Sequence, residues 1–131
     1  MYLTKRIEGL TSLQNTLSKK GIPEEVMEES LARNPWFTPY YITHSLSSIL
    51  PWLAEDVLTA FTHNHKNEIE NREPKKVGII MAGNLPFVGI HDLLVGILSK
   101  NELYLSFSHQ DEALMEWVLE SWIETDPDIE K

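Results

Sequence analysis

Residues 77–94 read VGIIMAGNLPFVGIHDLL, and the fold turns on how they are parsed. Residues 77–81 are an unbroken apolar run bounded upstream by the charged segment 72–76; that length and β-branched content predict a fully buried strand. Ala82, Gly83 and Asn84 then make a small-residue turn, and Pro86 follows. From Phe87 onward Val88, Leu93, Leu94 and Ile97 suit one broad helical face. Strand, tight turn and helix put Asn84 at the crevice outside the carboxyl end of a strand, where open α/β sheets bind ligands.

Working outward, Leu103, Tyr104, Leu105 and Phe107 read as a second strand, and Leu114, Trp117, Val118 and Trp122 as a last helix. The second half is therefore β-α-β-α, for which a parallel pair with a right-handed crossover is expected. Residues 65–76 are charged and nearly without apolar side chains, so they are expected to be a loop.

Upstream, Leu3, Ile7, Leu10, Leu13 and Leu17 recur at helical steps, and Gly21 is placed to stop that helix. Pro23 opens a second helix, with Val26, Met27 and Leu31 as its buried positions. Thr38 and Pro39 are an N-cap and first-turn pair for a third helix carrying Ile42, Leu46 and Ile49. A fourth begins near Pro51 and aligns Leu53, Val57 and Phe61. The expected fold class is thus α/β, with a helical N-terminal region (1–70) followed by a partial Rossmann-like β-α-β-α unit (71–131). Two parallel strands leave unpaired edges, which a covering segment or a homo-oligomer would hide.

At 131 residues the chain fits one domain, and 20 acidic against 11 basic residues give a formal charge of -9. That balance argues against a general nucleic-acid or anionic-membrane surface. With no cysteine there can be no disulfide, no cysteine metal site and no thiol nucleophile in this chain. No apolar stretch is long enough for a spanning helix, and a cytoplasmic location follows by default.

The segment GIIMAGNLPFVGIHDLL closely resembles the corresponding part of the bacterial acyl-CoA reductases of the LuxC type, a branch of the aldehyde dehydrogenase superfamily. NPWFTP at residues 34–39 is similar to that family's helical N-terminal region. The resemblance implies an N-terminal, cofactor-side portion of an enzyme that reduces an acyl-CoA or acyl thioester to an aldehyde with NAD(P)H. It implies that Asn84 donates its side-chain amide to the oxygen of the adduct, and that Ile80, Ala82, Gly83 and Ser106 lie along the cofactor. Ser106 stands where relatives carry a lysine, and a serine can bond a ribose hydroxyl without supplying that charge. Because the family's acylated thiolate cannot come from this chain, the chain alone is expected to be inactive, its thiol belonging to a missing C-terminal catalytic portion. The alternative is a non-catalytic interaction module on the same fold.

The remaining polar and aromatic clusters have plainer readings. Asn84 alone, without the resemblance, reads as a turn residue tolerant of the left-handed region. Gly83 and Gly89 match neither GxGxxG nor the Walker pattern. His63 and His65 are expected on a solvated helix end rather than at a metal. His91 is expected to pack against the N-terminal helices, and Asp92 diverges from it on the helix. Trp36, Phe37, Tyr40 and Tyr41 are expected to pack between helices, and Glu24, Glu25, Glu28 and Glu29 to form a solvated face.

Overall fold

The computed structural model describes residues 1–130. Helix α1 (Tyr2–Lys20) ends at Gly21, whose φ of 68° and ψ of 161° fall in a region that glycine enters but other residues scarcely do. Its stripe is buried as the periodicity predicts, with Leu3, Leu10, Leu13 and Leu17 all inside. Met1 offers no side-chain cap to α1. Glu70 does so from a distance, accepting the Tyr2 and Leu3 amides at 3.1 and 3.0 Å, and those two hydrogen bonds hold its carboxyl below the usual range, the Leu3 bond more strongly.

Helix α2 (Glu24–Arg33) has its four glutamates exposed as expected. Its buried position is Ser30, not Leu31, which faces solvent: the short helix packs so lightly that Val26 and Met27 are only half-buried. Arg33 ties it to the second half of the chain, donating to Glu112 at 2.7 Å and to the His109 carbonyl at 3.1 Å. Helix α3 (Pro39–Ile49) is capped by Thr38, which accepts the Tyr41 amide, and buries Ile42, Leu46 and Ile49.

The expected fourth helix is divided. A 3-10 turn (Leu50–Leu53) buries Leu53, and α4 (Glu55–Thr62) then buries Leu58 and Thr62 while Val57 and Phe61 are exposed. A helical repeat carried straight from Leu53 gives the wrong face, because the 3-10 turn and the extended Ala54 reset the phase. Residues 65–76 are not all loop: after a 3-10 turn at His63–His65, α5 (Lys66–Asn71) forms and buries its one apolar residue, Ile69. A helix can be this polar where a single side chain anchors it and Glu70 serves another helix's end.

Strands β1 (Lys76–Ile80) and β2 (Glu102–Ser106) pair in parallel, with Gly78 opposite Tyr104 and Ile80 opposite Ser106. Helix α6 (Ile90–Leu98) links them and α7 (Glu112–Thr125) follows. The helix expected from Phe87 begins three residues later, because 86–89 are turns and Phe87 has a φ of 61°. The expectation of a fully buried β1 is overturned: Val77 and Ile79 are half-buried while Ile80 is 90% exposed. In a two-stranded sheet one face meets α6, where Gly96 lies close against Leu103 and Ile79, and the other face meets water.

The core lies instead between α1 and α7, where Trp117 and Trp122 are buried among the α1 leucines. Both indole N–H groups lack an acceptor among the described residues, which costs about 1–3 kcal/mol each. The 150–250 Å² a tryptophan buries is worth roughly 4–6 kcal/mol at 25 cal/mol/Å², so burial wins.

The aromatic cluster splits. Phe37 enters the core, but Trp36 and Tyr40 are each 82% exposed, against the packing expected of them. Asn34 accepts the Trp36 amide at 3.0 Å and fixes a turn that sends neighbouring side chains opposite ways.

Candidate functional site at the carboxyl ends of the strands

With Ile80 opposite Ser106, both strands finish level. The Met81 amide continues the ladder to the Ser106 carbonyl at 2.9 Å, and the chain then leaves as two segments, 81–89 and 107–111, that pack on each other. Their contact is close, since a Cβ on Gly83 would overlap the Ser108 side chain; within the first segment, one on Gly89 would meet Met81 Sδ at 2.5 Å. These glycines let backbone approach side chain; they do not form a phosphate loop.

Asn84 stands on the outer side of this turn, exposed, and among the described residues its side chain has no hydrogen-bond partner. It differs in this from Asn34, whose side chain closes a local turn. Ile80, Ala82 and Ser106 are exposed around the same mouth, and Gly83 is buried beneath it. The five residues singled out in the sequence are therefore brought to one end of the sheet.

A sixth residue was missed. Asp111 is 1% exposed, and its Oδ1 accepts the Phe87 amide at 2.9 Å. Burial pushes its carboxyl up from 3.8 to about 7, against the opposing pull of the Phe87, Val88 and Gly89 amides. The last two amides face the carboxyl more loosely, and Oδ2 is left without a hydrogen bond. Helix N-termini with converging amides commonly hold a ligand phosphate; here the protein's own aspartate occupies that place. In the sequence, Asp111 before Glu112 looks like an ordinary N-cap of α7, and nothing local announces a partner 24 residues upstream.

The other candidates lie apart from this mouth. His91 is exposed and meets Trp52 edge-on at 6.3 Å, in an apolar groove of about 240 Å³ that Val57, Phe61, Leu94 and Val95 also line. This agrees with packing against the N-terminal helices. His63 and His65 are exposed, as expected. Among the described residues no group of three or more histidine, aspartate or glutamate side chains could hold a metal ion, and no helix is long and apolar enough to cross a membrane.

No curated protein and no solved structure matches the chain. The sequence profile described as acyl-CoA reductase (LuxC) matches residues 12–131. On that match, which spans nearly the whole of the sequence read above, the chain belongs to the LuxC family of acyl-CoA reductases.

Proposed function

We propose that this chain supplies the cofactor-side portion of an acyl-CoA reductase, in the manner of the aldehyde dehydrogenase cofactor domain, with Asn84 as the amide donor to the acyl-thioester oxygen. One observation carries the reading: an asparagine with no partner of its own stands exposed just past two parallel strands that end level. A neutral amide not spent on a bond of its own is available to donate when charge develops on the oxygen.

The residues fit one half of a nicotinamide dinucleotide. Ile80 and Ala82 offer exposed apolar surface and Ser106 an exposed hydroxyl, which suit a ring and a ribose. Ahead of α6 the Phe87 amide is engaged by Asp111 and the Val88 amide by the Leu85 carbonyl, so the phosphates would need donors elsewhere. Bound NAD(P)H would supply the hydride. This chain's residues would orient the ring, offer the Asn84 amide to the carbonyl oxygen and exclude water with Ile80. The thiol that carries the acyl group comes from outside these residues, since no cysteine is present, and the chain alone is inactive toward acyl-CoA.

Titration of the chain with NADPH and NADP⁺, followed by tryptophan fluorescence and calorimetry, tests this. Saturable binding weakened by Asn84→Ala and by Ser106→Ala is expected. Absence of any response at millimolar dinucleotide would discard the proposal.

A further inference from the structure

We infer that Asp111 is a positioning residue: by accepting the Phe87 amide from beneath, it fixes the turn that carries Asn84. The inference rests on reading Asn84 as the functional donor. Three observations support it.

Asp111 occupies the N-cap position of α7, yet its side chain makes no hydrogen bond to that helix. An aspartate there normally accepts from the second or third amide of its own helix. This one gives its acceptor to a segment 24 residues away, while its backbone still serves α7, its carbonyl accepting the Met115 amide at 3.0 Å. Local capping is set aside for a long-range tie.

The tied residue is the strained one. Phe87 has a φ of 61°, a region few residues other than glycine enter and one that persists only when the surroundings over-determine it. Two constraints do so: the ring is buried against Trp117 at 6.3 Å between centroids, and the amide is held by Asp111. Three residues upstream of Phe87, Asn84 has no hydrogen bond to fix it, so its direction follows from this backbone.

Burial makes the arrangement costly. A carboxyl with 1% exposure and one oxygen unpaired is retained where a serine could cap α7 without that penalty. Reach distinguishes the two: the longer carboxyl spans to the other segment.

The test compares Asp111→Asn, which keeps an acceptor oxygen in place, with Asp111→Ser, which can still cap α7 but is too short to reach Phe87. In the ¹⁵N-labelled chain, amide hydrogen exchange at residues 84–89 is read alongside NADPH affinity. With Asp111→Ser, exchange at Phe87 is expected to rise about tenfold or more, the loss of one hydrogen bond, and Asn84 resonances to shift. Protection at Leu13 and Val118 should change little, and Asp111→Asn should restore both turn signals. NADPH affinity should fall about tenfold in Asp111→Ser and recover in Asp111→Asn. Unchanged exchange at Phe87 in Asp111→Ser, or NADPH affinity equal to that of the parent chain, overturns the inference. Should the parent bind no dinucleotide, the proposed function fails by itself, and the exchange at Phe87 still decides whether Asp111 holds the turn. Should Asp111→Ser not fold, Asp111→Asn decides: retained Phe87 protection with an unmoved Asn84 supports the acceptor role, and loss of that protection overturns it.

Discussion

The α1–α7 layer and the β1–β2 mouth are built on opposite principles. In the first, leucines from one helix and tryptophans from another are closed off from water on all sides. In the second, a two-stranded sheet is covered on one face, and Ile80, Tyr104 and Ser106 stand in solvent on the other. The difference separates the part that holds the fold together from the part proposed to meet a ligand. Side chains of the helical layer are closed in by packing, whereas the exposed ones at the strand ends, such as Ile80 and Ser106, can vary at little cost to stability.

The comparison is broken most severely from the packed side. Leu13→Ala should destabilise the chain by about 2–5 kcal/mol in urea unfolding, the range for a leucine removed from a closed core; a loss under 1 kcal/mol would mean the layer is looser than described. Next comes pH. The folded pKa of Asp111, about 7, lies above its ordinary 3.8, so the folded state retains a proton that the unfolded chain has released. Its contribution to stability is fully present below about pH 4 and is lost as pH rises through about 7, at a slope approaching 1.4 kcal/mol per pH unit. The difference between parent and Asp111→Asn stability curves isolates that slope; parallel curves from pH 4 to 7 would refute it.

Gly83→Ala should cost about 1–3 kcal/mol by overpacking against Ser108, with part regained in the Gly83→Ala/Ser108→Gly pair. Additive losses would show that the two segments do not touch. Thr38→Ala should cost about 1 kcal/mol through the lost cap, read as a lowered melting temperature. Smallest of all, Ile80→Thr should change stability by less than about 0.5 kcal/mol, and a larger loss would mean that the outer face of the sheet is covered.

What could be read in the chain beforehand follows from how local each cause is. The α1 stripe, the Thr38 cap and the parallel strand pair are written in spacings of two to four residues, and they form as expected. Val57 and Phe61 went to the wrong face because a 3-10 turn shifts helical phase without leaving a residue signature. Ile80 was expected inside because an apolar run is silent on how many strands flank it. At the strand ends, Ala82, Gly83 and Asn84 mark the break after the strand, but the turn itself lies further on, at residues 86–89; Ser106 follows from strand alignment. Asp111 was not legible, since its meaning lies in a partner across the fold.

The carboxyl beneath that turn has one more effect. Because the Phe87 amide ahead of α6 already has an acceptor supplied from across the fold, and the Val88 amide donates to the Leu85 carbonyl, a small anion from the surroundings finds neither of them free.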